Sequence, residues 1–344
     1  MRYRRLGATD LNVSEIGMGC QSLGGGLYYR DDRESVRTLQ QAVAAGVNFF
    51  DVSDHHTQGV AEEILGKAVR KRRDEVIITT KAGYCYTPMG NLGLKVRHVI
   101  RPISIMLRPF KRSLHLMRAS QGRYNFSPVY IKQAIEKSLH RLGTEYIDLY
   151  QLYKPAVEVM KNEEFLDTLG TLEDLKQQGK IRYYGIACQW VHEALHCLDI
   201  SGVSSVQVAV NLVEPEATYT LTRRAREKQI AVIARHPKAI GLLTNAASDI
   251  MGDTSYYDQQ HDDRVEQAKT FRFLIGQSRT LAQAAIQYVL GLPDIATVIP
   301  RAVNRRELEE NLGSLIAPPL TDAELERIAT LQSVAAVNDT AVVA

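Results

Sequence analysis

The chain has 344 residues, with 42 Lys and Arg against 39 Asp and Glu for a formal net charge of +3, and is 45% hydrophobic and 24% charged. Such a composition supplies a large core and excludes disordered, collagen-like and disulfide-scaffold classes, and so small a charge gives no general affinity for nucleic acid. Its length would serve two average domains, yet α/β barrels of this size commonly form one. No apolar run approaches the ~20 residues that span a bilayer. The start, Met1-Arg2-Tyr3-Arg4-Arg5-Leu6-Gly7, lacks the apolar stretch of a signal peptide. Four cysteines, Cys20, Cys85, Cys188 and Cys197, lie far apart with no CxxC pair, a usage that suits reduced thiols in a cytoplasm.

Short β-branched or aromatic runs alternate with amphipathic stretches along the chain. The pattern predicts strands over 15–20 and 48–53, followed by helices at 33–45 and 60–72. A third strand, 76–81, stands far from its helix at 128–142. Strand and helix then alternate closely, at 147–153 and 162–178, 181–187 and 191–199, and 205–211 and 217–228. The last pairs are 230–236 with 264–290 (interrupted by a break) and 297–301 with 304–315, before a final helix near 321–331. Ile131, Ala134, Ile135, Leu139 and Leu142 keep helical spacing. Ser127-Pro128 reads as the N-cap and first turn of that helix, and Gly143 as its stop. Val76-Ile77-Ile78 and residues 206–210 read as strands covered on both faces, as in a parallel sheet. Strict alternation requires parallel strands with right-handed crossovers. Eight such units predict an α/β fold, a single (β/α)8 TIM barrel spanning 1–344 with a C-terminal helix.

Two segments break the rhythm. Residues 84–126 and 238–263 far exceed the ~2–6 residues of an ordinary βα connection, and long βα loops lie over the mouth of a barrel. From Ala82 through Ile135 there is no acidic residue, while Lys and Arg are interleaved with apolar side chains. This basic insert suits an anionic ligand or another subunit. Pro102 and Pro109 interrupt the long amphipathic helix that a membrane surface would require.

Reactive groups belong at the C-terminal ends of the strands. Those ends carry Cys20-Gln21, Asp51 with Asp54-His55-His56, Lys81, Tyr153-Lys154, Cys188-Gln189, Asn211 and Arg235-His236. Lys81 terminates an apolar strand and needs an acid, for which Asp51 on the neighbouring strand is the nearest candidate. Facing a mouth that also holds His56 and Tyr153, the pair reads as an acid/base constellation, because a cation lowers neighbouring pKa values. It reads equally as a structural ion pair. Cys20, Cys85 and Cys188 with His55 or His236 offer zinc-ligand types, but scattered cysteines are more often small buried residues, and no metal is expected. A Schiff-base role for Lys81 is disfavoured by an adjacent acid that keeps it protonated.

In order along the chain, Tyr3-Arg4-Arg5-Leu6-Gly7, 13–19, Asn48-Phe49-Phe50-Asp51, 62–68, 138–144, 148–152, 179–185 and Val298-Ile299-Pro300 resemble the motifs of the aldo-keto reductase family over nearly the whole length. The resemblance implies NAD(P)H-dependent carbonyl reduction by an Asp, Tyr, Lys and His tetrad. Asp51 matches the Asp and Lys81 the Lys. The Tyr position, five residues after Asp51, is His56, and the His position at the end of the fourth strand is Tyr153. Tyr and His have traded places. A phenol titrates ordinarily near ~10 and an imidazole near ~6.5, and Lys81 pushes His56 further toward its neutral, basic form. The expectation is that His56 takes a proton from an alcohol while Tyr153 donates a hydrogen bond to its oxygen. In the alternative, Tyr153 remains the proton donor and His56 orients the substrate.

By the same resemblance, Gln207 matches the glutamine that binds the nicotinamide amide. Ala187-Cys188 replaces a Ser-Asn pair on that amide, and Arg235, in Ala234-Arg235-His236-Pro237, replaces the stacking aromatic. A guanidinium there is also suited to gripping an anionic substrate or a phosphate. Pro237 and Gly241 fall in the cofactor loop, and Arg301, Glu310 and Asn311 match positions that hold the adenosine half. Arg301, Arg305 and Arg306 could neutralise a 2′-phosphate, although Glu307 stands where many NADPH-using members carry Arg. NADP is therefore expected, with NAD as the second choice. The implied function is oxidoreduction of a small polar or anionic carbonyl/alcohol pair by a cytoplasmic enzyme. The alternatives are lyase or isomerase chemistry on the same barrel, or a catalytically silent nucleotide-binding regulator.

Overall fold

A computed structural model describes residues 1–21, 23–24, 32–86, 122–245 and 261–342. The chain opens on an antiparallel hairpin of β1 (Tyr3–Arg5) and β2 (Asn12–Ser14). Eight parallel strands follow: β3 (Met18–Gly19), β4 (Phe49–Asp51), β5 (Ile77–Ala82), β8 (Ile147–Tyr153), β9 (Ile181–Ala187), β10 (Val203–Ala209), β11 (Ala231–Arg235) and β12 (Ile295–Ile299). Their order in the sheet follows the chain from β3 to β12. The two edges meet through parallel bridges, Ile16 with Val298 and Gly19 with Arg301. The expected (β/α)8 barrel is thus closed.

Helices pack outside it at Asp32–Ala44, Val60–Val69, Pro128–Leu142, Glu163–Gln177, Val191–Cys197, Thr222–Glu227, Leu281–Gly291 and Arg305–Gly313. Ser127 caps the third by accepting from the Tyr130 amide, and Gly143 ends it at φ +65°, a left-handed conformation that glycine adopts without strain. The stretch expected at 217–228 is two helices, Glu216–Thr220 and Thr222–Glu227. The break in 264–290 lies before Thr280, whose side chain and that of Gln283 cap each other's backbone amides and so begin a new helix. The C-terminal helix runs beyond the expected 331, over Asp322–Val342.

The N-terminal hairpin plugs one end of the barrel. Leu6, Leu11 and Val13 pack with Phe49, Ile77, Leu149, Ala231 and Ile233 in a small core of their own. Asn48 fastens the plug, its Oδ1 accepting from the Ser14 amide at 2.7 Å and its Nδ2 donating to the Asn12 carbonyl at 2.8 Å. Asp148 is also structural. It accepts from Arg73, Arg182 and the Ile78 amide at 2.8, 2.9 and 3.0 Å. With this end sealed, the opposite mouth is left for a ligand.

The first insert begins and ends as a hairpin, β6 (Tyr84–Tyr86) with β7 (Gly122–Tyr124). Its basic centre, and with it the proposed contact to an anion or subunit, lies outside the described residues. So does 246–260 of the second insert.

Candidate active site

Side chains alternate along a strand, and that period carries chemistry to the mouth. Starting from Phe49, Ile77, Leu149 and Ile233 in the plugged core, every second residue faces inward. The run reaches Asp51 in one step on β4, Arg235 in one step on β11, and Lys81 and Tyr153 in two steps on β5 and β8.

Asp51 and Lys81 form a buried ion pair, Nζ to Oδ1 at 2.5 Å, with side chains only 8% and 3% exposed. Lys81 also donates to the Val52 carbonyl at 2.9 Å. Gln207 reaches across the barrel and donates its Nε2 to the same Asp51 oxygen at 2.8 Å. Burial pushes the Lys81 pKa down, and the Asp51 carboxylate opposes that shift.

His56 follows β4 in a tight turn. Thr57, Gln58 and Gly59 all have positive φ, at 47°, 58° and 89°, costly for a β-branched threonine. Thr57 is held there by donating its hydroxyl to the Leu23 carbonyl at 3.0 Å. Burial, then the neighbouring His55, Lys81 and His236, hold the His56 imidazole well below the ordinary histidine range, so it is neutral at pH 7. Its buried Nδ1 has no hydrogen-bond partner among the described residues. His55 packs behind, 4.7 Å from the His56 ring and 4.5 Å from that of Tyr153, and its Nδ1 lies 2.6 Å from Ser53 Oγ. The Lys154 ammonium stands 5.0 Å from the Tyr153 ring centroid.

Arg235, 6% exposed, donates its Nη2 to the carbonyls of Cys188 and Gln189 at 2.7 and 3.3 Å. Lys238 Nζ donates to Asn311 Oδ1 at 2.9 Å and to the Arg301 carbonyl at 3.3 Å. Arg301 Nε stands 4.0 Å from Glu307. A cavity of about 380 Å³ joins these groups, running from Asp51 and Lys81 to the start of the Arg305–Gly313 helix.

Of the residues singled out in the sequence, Asp51, His56, Lys81, Tyr153, Gln207, Arg235, Pro237, Gly241, Arg301 and Glu310 line this one cavity. Cys188, Arg305 and Asn311 do not. The Cys188 thiol is buried 3.7 Å from that of Cys197, and only its carbonyl reaches toward the site, through Arg235. Arg305 has a side chain 69% exposed and pairs with Glu309 at 2.6 Å. Asn311 is buried behind the wall, holding Lys238. Gln21, read as a strand end, lines the cavity as well, while sequence reasoning missed Lys238 and Asn304, which line it too. Lys238 was detectable as a charged residue directly after the Arg235-His236-Pro237 strand end.

The profile of the Aldo/keto reductase family matches residues 15–333. The uncharacterized oxidoreductase YqkF of Bacillus subtilis is 32% identical over 335 residues, 95% of each chain. The NADH-specific methylglyoxal reductase of Escherichia coli is 25% identical over 92% of this chain and 94% of its own. Among solved structures, the holo form of aldo-keto reductase AKR11C1 from Bacillus halodurans superposes with a TM-score of 0.74 at 28% identity, covering 96% of both chains. The chain belongs to the aldo/keto reductase family of oxidoreductases, whose members use nicotinamide cofactors.

Proposed function

We propose that this protein is an NAD(P)-dependent oxidoreductase of a small polar or anionic carbonyl/alcohol pair, with His56 and Tyr153 as its proton-handling groups. The observation that carries this reading is that both rings line one cavity with the Asp51–Lys81 pair. A neutral imidazole keeps one N–H and is a poor proton donor at pH 7, but its other ring nitrogen can accept a proton. His56 therefore takes the proton of an alcohol, Tyr153 donates a hydrogen bond to the same oxygen, and the Lys81 ammonium stabilises negative charge developing there. In the reverse direction His56 returns the proton it has acquired.

The donor set suits a dinucleotide. Lys238, Arg301 and Arg306 line the half of the cavity near the Arg305–Gly313 helix and match anionic phosphates, while Glu310 offers an acceptor for hydroxyls. Gln207 uses Nε2 on Asp51, which leaves its Oε1 for the nicotinamide amide. When bound, the nicotinamide supplies or accepts the hydride. NADP is the preferred form on the strength of Arg301 and Arg306, with NAD as the alternative. The four cysteines form no disulfide with one another, and the cytoplasmic assignment rests on the sequence.

His56→Phe should lower turnover by ~10²–10⁴-fold, the usual contribution of general acid–base catalysis. Near-full turnover in that variant would remove His56 from proton transfer. Fluorescence titration should give saturable binding of reduced cofactor, tighter for NADPH than for NADH. No saturable binding of either would undo the redox reading.

A further inference from the structure

We infer that Arg235 is a specificity residue that selects substrates bearing an anionic oxygen group, a carboxylate or a phosphate, close to the reacting carbon. This rests on the oxidoreductase reading above and names the substrate class of that site. Arg235 ends β11 between Ala209 and Ile299 and lines the cavity together with Asp51 and Lys81. Bonds from one guanidinium nitrogen to the carbonyls of Cys188 and Gln189 fix its plane, the preorganisation that makes arginine an oxyanion clamp.

The charge balance of the cavity points the same way. Among the described residues, five Lys and Arg side chains line it against three carboxylates. Of the three, Asp51 Oδ1 already accepts from both Lys81 and Gln207, and Glu307 and Glu310 belong to the helix after β12, where Arg301 and Lys238 face them. The reacting end is consequently positive. Burial is the main reason the His236 and His56 imidazoles stay neutral, and the cations add to it, Arg235 and Lys81 at His236 and Lys81 at His56. A cation buried in a cavity wall is costly to desolvate, and an anionic substrate offsets that cost where a neutral one does not. Electrostatic selection of this kind acts against uncharged analogues as well as for charged ones.

The test uses charged and neutral pairs at neutral pH, the near-isosteric pyruvate against pyruvamide and the larger dihydroxyacetone phosphate against dihydroxyacetone, with the purified full chain. Each turnover delivers one hydride from the reduced dinucleotide to the carbonyl carbon and one proton to its oxygen, so loss of nicotinamide absorbance reports rate. The expected result is that at least one charged member exceeds its neutral partner by about 100-fold in kcat/KM, within the discrimination a polar pocket achieves. Which pair shows it distinguishes a carboxylate from a phosphate. Arg235→Met should bring that ratio to about one, and Arg235→Lys, which keeps charge but loses the planar fork, should leave it intermediate. Equal or better use of the neutral members by the wild type overturns the inference and leaves the redox reading standing, and this comparison decides the matter even if the Met variant fails to fold. Calorimetric titration of the same four compounds separates the two readings. If none oxidises the cofactor but the charged ones alone bind, and Arg235→Met or Arg235→Lys weakens that binding, the anion site stands and the cofactor titration decides the redox reading by itself. Absence of any charge-dependent turnover or binding by the wild type overturns the inference.

Discussion

Breaking the Asp51–Lys81 pair from one side and from both gives different costs, and the difference is calculable. Both side chains are more than nine-tenths buried and 2.5 Å apart. Lys81→Met leaves a buried carboxylate with Gln207 as its donor, and Asp51→Leu leaves a buried ammonium with the Val52 carbonyl. An uncompensated buried charge costs about 3–5 kcal/mol. In the double variant both charges are gone, and the main loss is the Gln207 hydrogen bond, about 1–2 kcal/mol. Urea unfolding followed by circular dichroism should therefore show a double variant more stable than either single one, with a coupling energy of several kcal/mol. The Asp51→Leu cost should also depend on pH. Burial already lowers the Lys81 pKa, so without its partner the lysine releases its proton in the folded state while the unfolded chain retains one. Stability should then rise with pH above neutrality, by up to about 1.4 kcal/mol per unit. Additive single-site losses, or a pH-independent Asp51→Leu variant, would refute this account of the pair.

Two further stability measurements follow from buried groups. His56 and His236 both titrate well below the ordinary value of 6.5, so below that pH the unfolded chain binds protons that the native chain does not. The two should cost about 2 kcal/mol between pH 6.5 and 5.5, with a further share from His55, whose pKa burial also lowers, and His236→Gln should remove about 1 kcal/mol of the fall in urea titrations. Gly66 lets the helix Val60–Val69 touch the Leu142 carbonyl, which a Cβ would overlap. Gly66→Ala should cost about 1–3 kcal/mol through overpacking, read as a lowered melting temperature.

The barrel was legible because its signal is repeated eight times, so an error of two residues at any boundary leaves the count intact. The first strand is the shortest, Met18–Gly19, because the residues before it go to closing the barrel against Val298. Asp51, Lys81 and Tyr153 were legible for a related reason, whereas Gln207 was legible only through the family resemblance. Strand ends of a barrel project alternate side chains into the mouth. Cys188 shows the limit of the rule. Its neighbour Ala187 is in register with Tyr153 and Gln207, and one residue further on the side chain turns back into the protein. Helix starts obey a different geometry. Successive residues point about 100° apart, so Arg306 faces the cavity while Arg305 faces solvent. Lys238 lies in a loop, where no period announces direction, and only folding brought it to Asn311.

The proposed exchange of imidazole and phenol is itself testable, because the two positions differ from the rest of the site in how they are held. Asp51, Lys81 and Gln207 share one carboxylate oxygen, and changing any of them strands a buried charge or donor. His56 sits on a turn with Nδ1 unbonded among the described residues, and Tyr153 at a strand end, both against open cavity. The paired substitution His56→Tyr with Tyr153→His should cost about 1–3 kcal/mol of stability, while moving the proton chemistry. With a base held well below 6.5, wild-type alcohol oxidation should stay level from pH 8 down through 6.5 and decline only at more acidic pH. A phenol at position 56 titrates from about 10, lowered by Lys81, so in the exchanged variant the oxidation limb should move to higher pH and reduction should gain at neutral pH. Rate profiles measured in both directions check this. Superimposable profiles for the two proteins would mean that neither ring sets the proton transfer, and that the positions of His56 and Tyr153 serve binding alone.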